Sequence, residues 1–174
     1  WAAHFNGTIW SAPEPIEDNN SGGDQTDVQA AMDASGNALA VWRRDRLDVV
    51  SILASRFDGT AWSAVEELDL GSATHVPQQP QIAIDASGNG MAVWSVFNGE
   101  PQRVNQRSEM HARHFTPASG WGAPERLDNG TTGDAVDPQV AFAPNGGALA
   151  VWRQSDGPIS VLASPVFVWA NEFR

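Results

Sequence analysis

The chain has 174 residues, 41% of them hydrophobic and none of them cysteine, so a sizeable core is available without disulfide staples. Its ten basic residues are all arginine and stand against 21 acidic ones, for a net charge of −11, which excludes nucleic acid and anionic membrane as partners held by phosphate neutralisation. No stretch approaches the ~18 apolar residues of a membrane-spanning helix, and the opening residues lack the basic, apolar and small-residue zones of a signal peptide, so no membrane insertion is expected.

Taken in chain order, the first element is a block running from Ala3-His4-Phe5-Asn6-Gly7-Thr8-Ile9-Trp10 to Glu14. A second block follows at Gln29-Ala30-Ala31-Met32-Asp33-Ala34-Ser35-Gly36-Asn37-Ala38-Leu39-Ala40-Val41-Trp42. The first then returns as Ala54 to Glu66, the second as Gln81 to Trp94, the first again as Ala112 to Glu125, and the second, with drift, as Gln139 to Trp152. Fixed-period self-similarity of this kind is the signature of a repeat architecture. The units are about 1–27 (partial), 28–79, 80–137 and 138–174, within one domain spanning the chain.

Each complete unit reads as four short antiparallel strands: one at Gln-x-Ala, one at Leu/Met-Ala-Val-Trp, one ending in Phe, and one opening at the second Trp. Asp-Ala-Ser-Gly-Asn supplies a hairpin turn in which Gly36, Gly88 and Gly146 take positive φ, and Phe-Asn-Gly-Thr and Phe-Asp-Gly-Thr supply the next. Polar segments at Asp69 to Gln79 and Asp128 to Asp137 are expected to carry the chain back to a new first strand. No run of ten to twelve residues has helical spacing free of Gly or Pro, so almost no helix is expected. The distance from Gln81 to Gln139 exceeds that from Gln29 to Gln81 through an insertion at Phe97 to Met110, which carries Gln102, Arg103, Asn105, Gln106 and Arg107 with His111 nearby; loops that outgrow their repeat often carry binding groups.

The chemistry-bearing residues are sparse. Glu66-Glu67, Asp24/Asp27 and Asp134/Asp137 pair carboxylates without a local setting that would shift a pKa. His4, His75, His111 and His114 form no His-x-x-x-His pair, and zinc sites built on cysteine are excluded. G-x-S-x-G is absent. No cofactor is expected; the oxygen-rich Asp33 to Asn37 leaves calcium as the alternative to a plain hairpin turn. The main resource is aromatic, with eight tryptophans and no tyrosine. Trp42, Trp94 and Trp152 end the second strands, and Trp10, Trp62 and Trp121 open the fourth. Such residues either fill wedges between sheets or stack, partly exposed, on the apolar face of a sugar ring. For the second role the candidate ligand-binding set is Trp42, Trp94 and Trp152 with Arg43, Arg153, Arg56 and Arg113, and with Gln29, Gln81 and Gln139, whose structural alternative is to satisfy backbone groups at the first strand.

Asp-x-x-Gly-Asn followed by Ala-Val-Trp resembles the blades of bacterial secreted β-propeller repeat proteins, and more distantly those of fucose-binding propeller lectins. The resemblance implies an all-β chain of β-propeller blades, three four-stranded repeats here, in a secreted or cell-surface protein. In those lectins short chains assemble into a six-bladed ring and hold fucose through an Arg, a Glu and a Trp between blades; that trio has no assigned positions in this sequence. Sialidase activity is not expected, because Asp33 and Gly36 are one residue too far apart for an Asp-box and there is no tyrosine.

The functional expectation is a non-catalytic, lectin-like binding module with a glycan or protein ligand, the alternatives being a structural or protein-interaction scaffold of a larger surface protein and a glycoside hydrolase with an unrecognised site. The start at Trp1 in place of Met points to a piece of a longer, exported precursor. Three blades are too few for a closed ring, which needs about four to eight, so the chain is expected to pair as a homodimer or to belong to a longer propeller.

Overall fold

The computed structural model describes residues 1–17, 22–47, 49–99, 107–128, 133–155 and 166–173. Of the insertion, residues 100–106 lie outside this set, and with them Gln102, Arg103, Asn105 and Gln106. The described residues form three antiparallel sheets and no helix. Sheet I consists of β1 (Asp24–Met32), β2 (Ala38–Arg46), β3 (Val49–Phe57) and β4 (Glu66–Leu70), in that order. Sheet II runs β5 (His75–Ile84), β6 (Gly90–Asn98) and β7 (Arg107–Thr116), with β8 (Gly120–Trp121) and β9 (Glu125–Arg126) both pairing with β7. Sheet III is β10 (Ala135–Phe142), β11 (Ala148–Ser155) and β12 (Val166–Phe173).

The hairpins between first and second strands follow the expected turn chemistry. Asp33 N–H donates to Asn37 O and Gly36 N–H to Asp33 O, and the same pair of bonds recurs at Asp85 and Ala143. Gly36, Gly88 and Gly146 all have φ between 80° and 89°. The first segment expected as a return loop is largely strand, and the second enters β10 at Ala135. Between β4 and β5 only residues 71–74 turn, and a Cβ at Gly71 would collide with Val50 O, so this corner admits no side chain. First strands therefore start ahead of the expected unit boundaries and then bulge: the register slips between Thr26 and Gln29, Gln78 and Gln81, and Val136 and Gln139. The bulged Asp27, Gln79 and Asp137 hold φ of 51°, 54° and 56°. The fourth strand also differs from expectation. Trp62 makes only an isolated bridge to Phe57, and β4 begins at Glu66. The ring pair is nonetheless repeated, with centroids 5.3 Å apart for Phe5–Trp10, 5.4 Å for Phe57–Trp62 and 5.2 Å for Phe115–Trp121.

The sheets stack in chain order with β1 beside β5 and β5 beside β10. The opening residues fold into a small hairpin, bridged at Ala2–Glu14 and Phe5–Trp10, whose Ile16 packs on Ala40, Trp42 and Leu53 of sheet I. Burial of the second strands reports this stacking. Ala38–Trp42 and Gly90–Val96 are buried at every position, as strands covered on both faces must be, whereas Ala148–Trp152 alternates buried Ala148, Ala150 and Trp152 with open Leu149. Sheet III is thus covered only on the face toward sheet II. No helix among the described residues is long and apolar enough to cross a membrane.

Candidate functional site

The tryptophans that end the second strands are structural. Trp42, Trp94 and Trp152 are 4%, 0% and 3% exposed and lie in the cores between successive layers. Trp94 Nε1 donates to Asp69 Oδ2 of sheet I at 2.7 Å, and Trp152 Nε1 to Gln154 Oε1 at 3.0 Å. The Trp42 Nε1 has no hydrogen-bond partner among the described residues. Trp94 and Trp152 offer no face on which a sugar could stack, and Trp42, 4% exposed, is one wall of a separate crevice of about 230 Å³ shared with Trp1 and Ile16. The remaining candidates are dispersed: Arg43 pairs with Asp45 at 2.7 Å, Arg153 with Asp137 at 3.2 Å, and Arg113 Nη1 donates to Glu67 O at 3.4 Å. Gln29, Gln81 and Gln139 each follow a first-strand bulge, where they pair with Val41, Val93 and Val151. These ten residues do not converge on one cavity.

The Asp33 carboxylate serves its own hairpin. Its Oδ1 accepts Ser35 N–H at 2.8 Å and Asn37 N–H at 2.9 Å, and its Oδ2 accepts Asn37 Nδ2 at 2.7 Å. Asp85 repeats the arrangement with Ser87 and Asn89. Desolvation is the largest single influence on both carboxyls and raises them, but the hydrogen bonds from Asn37 or Asn89 and from the turn amides together outweigh it, leaving both below the usual aspartate range. Oxygens already saturated with N–H donors make a poor cage for a cation.

What the repeat does not dictate is how each pair of sheets closes. At the junction of sheets I and II, the Arg56 guanidinium lies 5.9 Å over the Phe115 ring, and Leu39 occupies the space beside Gly90 so fully that a Cβ there would overlap Leu39 Cδ1. Equal register places His114 where Arg56 stands, Phe173 where Phe115 stands, and Met91 and Ala148 where Leu39 and Gly90 stand. The shorter imidazole reaches Phe173 at a centroid distance of 5.0 Å, and Ala148 stands where the first junction has Gly90. A crevice of about 160 Å³ results. Met91, Val93, Ala112, Val140 and Ala150 give it an apolar floor, and His114, Glu125, Asn171 and Phe173 its rim.

Each rim group is positioned by sheet pairing. Glu125 is held opposite Ala112 by the β7–β9 pairing, on the face that also carries His114. Asn171 Nδ2 donates to Leu127 O at 3.2 Å across the junction, which leaves its Oδ1 as an acceptor at the rim. A carboxylate, an imidazole, an amide oxygen and a half-exposed aromatic ring around an apolar floor can hydrogen-bond a hydroxylated ring while packing its C–H face. A cavity near 150 Å³ accepts a body the size of benzene, so one six-membered ring fits.

Above this crevice lies a polar belt. Arg126 makes a forked pair with Asp128, both bonds 2.7 Å, and also reaches Glu109 at 2.9 Å, which takes Arg107 at 2.6 Å. Asp128 and Glu109 raise the Arg126 guanidinium above its usual range against a smaller desolvation. Buried Asp134 accepts Ser108 N–H at 2.7 Å through Oδ1, while its Oδ2 has no hydrogen-bond partner among the described residues; desolvation pushes this carboxyl upward against the opposing bonds from Ser108. The arginine pairs brace β7 and β9 within sheet II, and the Asp134–Ser108 bond alone of these ties the entry of sheet III to it.

The sequence reading centred on residues that recur. Of the rim, Glu125 and Phe173 hold positions that recur as Glu66 and Phe115, whereas His114 stands where sheet I has Arg56, and Asn171 where sheets I and II have Ser55 and Arg113. The usable signal was divergence between aligned repeats. No protein-family model and no curated protein matches the chain.

Proposed function

We propose that the three sheets are consecutive blades of a β-propeller and that the chain is a non-catalytic binding module of a secreted or surface protein, holding a carbohydrate ring in the crevice between sheets II and III. What supports the blade reading is that three sheets built on one repeat stack face to face with their first strands side by side. What carries the ligand reading is the crevice itself, a ring-sized apolar space rimmed by His114, Glu125, Asn171 and Phe173 at the one aligned junction where Arg56 has become histidine.

Titrating a panel of neutral monosaccharides while following backbone amide shifts tests it. Shifts should centre on His114, Glu125 and Asn171, and Phe173→Ala should weaken binding about tenfold or more, as loss of a packed aromatic does at a small site. Shifts elsewhere, or none with any sugar, would sink the reading. Turnover of aryl glycosides that is lost in Glu125→Gln would replace it with the hydrolase.

A protein-interaction scaffold is the second reading, favoured by the exposed Val166, Phe167 and Val168 along β12.

A further inference from the structure

We infer that Asn6 is a self-modification site, where the tip of the opening hairpin converts a side-chain amide to a carboxylate through a cyclic imide formed with Gly7. The inference does not depend on what the crevice binds. In the first step the Gly7 backbone nitrogen, its proton lost to solvent hydroxide, attacks Asn6 Cγ. A bond forms between them, the Cγ–Nδ2 bond breaks, and ammonia leaves with a proton taken from water. Water then opens the ring. Its attack at Cγ breaks the new bond to nitrogen and gives aspartate on an ordinary backbone, whereas attack at the main-chain carbonyl carbon gives isoaspartate. Nothing is oxidised or reduced, and water is the only co-reactant.

Asparagine followed by glycine, the pair this chemistry needs, occurs among the described residues at Asn6-Gly7, Asn89-Gly90, Asn98-Gly99 and Asn145-Gly146. The four nucleophiles differ in availability. Gly99 N–H donates to Thr74 O at 3.2 Å and Gly146 N–H to Ala143 O at 3.0 Å. Gly90 is a buried strand residue between Ile84 and Phe115, and Asn89 Nδ2, the group that would have to leave, is held by Asp85 Oδ2 at 2.8 Å. Gly7 N–H has no hydrogen-bond partner among the described residues, and nothing lies within 4 Å of where a Cβ on Gly7 would stand, so solvent base reaches the amide. Asn6 is exposed. The equivalent tip in sheet I, residues 58–61, is exposed as well although sheet I has neighbours on both faces, so these tips stand clear of the stacked layers.

The electrophile is activated by the same turn. Asn6 Oδ1 accepts Thr8 N–H and Ile9 N–H, both at 2.9 Å, and two donors fix which atom of the amide is the oxygen. Backbone N–H groups aimed at the oxygen of the carbonyl under attack stabilise the negative charge that develops there, as in an oxyanion hole. Asn145 Oδ1 takes only one such amide, from Gly147, and Asn98 Oδ1 faces the His75 ring. Because both donors sit on the Cγ oxygen and not on the main-chain carbonyl, they also direct ring opening to Cγ, and so to aspartate. The fold already accommodates that product. Sheet I has Asp58-Gly59-Thr60 where the hairpin has Asn6-Gly7-Thr8: Asp58 Oδ1 accepts Thr60 N–H and Ala61 N–H at 2.9 Å, and Gly59 and Gly7 share a φ of 95°. The Thr60 hydroxyl, then the Ala61 and Thr60 amides, hold the Asp58 carboxyl down at about 2, so this turn favours the charged form.

The folded chain, held in mildly alkaline buffer and mapped by peptide mass spectrometry, should gain the mass of an amide exchanged for a carboxyl at Asn6. The rate there should exceed those at Asn89, Asn98 and Asn145 by about tenfold or more, a modest share of what oxyanion donors contribute. In urea the four sites should react at similar rates, with isoaspartate in excess of aspartate; at Asn6 of the folded chain that order should reverse, as chromatography of the digested peptides reads directly. Asn6→Asp should melt with the wild type. A folded chain in which Asn6 outlasts Asn98 or Asn145, or in which all four sites convert together, overturns the site. Excess isoaspartate at Asn6 of the folded chain overturns the part given to the Thr8 and Ile9 amides, and an Asn6→Asp variant that melts lower overturns the fit of the product to the turn.

Discussion

Trp94 and Asp69 join two sheets through one short bond, Nε1 donating to Oδ2 at 2.7 Å, with Trp94 fully buried and the other Asp69 oxygen 2.9 Å from His75 Nε2. The pair ties the end of one unit's fourth strand to the second strand of the next. Trp94→Ala should therefore cost about 3–5 kcal/mol through the cavity it leaves. Trp94→Phe keeps much of the volume but removes the donor from Asp69, and should cost about 1–3 kcal/mol. Urea unfolding of the two variants separates packing from hydrogen bonding; equal losses would show that the bond to Asp69 adds nothing.

Gly88 takes φ of +80°, and a Cβ there would sit 3.3 Å from Pro117 Cγ. Gly88→Val should destabilise by about 1–3 kcal/mol from the left-handed backbone, and the proline contact adds to it. Gly36, at +89°, has open space around its Cβ position, so Gly36→Val carries only the backbone share. Thermal melts of both variants should rank Gly88 as the costlier site.

The hairpins and the burial of the three second-strand tryptophans were legible because each is a local pattern repeated in register: turn residues at fixed offsets, then a continuous apolar run. The bulges at Asp27, Gln79 and Asp137 were not, since their positive φ sits on Asp and Gln inside a strand, with no glycine to mark it, and comes with the register slip against the second strand. Gln79 and Asp137 then bond each other across two sheets, Gln79 Nε2 to Asp137 Oδ1 at 3.0 Å and Asp137 N–H to Gln79 Oε1 at 3.1 Å, a relation between residues far apart in the chain. The crevice was hidden for the same reason. It depends on pairs such as Leu39 with Gly90 and Met91 with Ala148, whose partners only the stacking brings together.

Asp134 gives a pH prediction of definite sign. Burial raises its carboxyl above the unfolded value, so the native state holds the proton more tightly. Its contribution is fully present below the unfolded pKa and is lost as pH rises through the higher folded one. Once ionised, this carboxylate is a buried charge whose Oδ2 has no hydrogen-bond partner among the described residues. Asp134→Asn, whose Oδ1 can still accept Ser108 N–H, should melt higher than wild type at pH 7, and the gap should shrink on acidification. Asp33 and Asp85 act oppositely in both proteins, since their lowered carboxyls lose stability as pH falls, and they cancel in the difference. A gap independent of pH would remove the burial argument.

The difference between the two sheet junctions can be exchanged by substitution. His114→Arg restores at the second junction the side chain that lies over Phe115 at the first, now over Phe173, and fills the mouth of the crevice with a guanidinium on an aromatic face, a contact of about 0.5–1 kcal/mol at an exposed site. The variant should be as stable as wild type or slightly more so, and sugar-dependent amide shifts should disappear. Arg56→His does the reverse: it removes the cation from Phe115 and shortens the side chain, but Leu39 still occupies the space beside Gly90, so no second ring-sized crevice should open. Adding Leu39→Met and Gly90→Ala completes the exchange, because the alanine methyl and the unbranched methionine reproduce the spacing of the second junction. Ligand shifts at this rebuilt junction in the triple variant, and none in Arg56→His alone, are the expected result. Binding that persists in His114→Arg at wild-type strength would place the ligand outside the crevice.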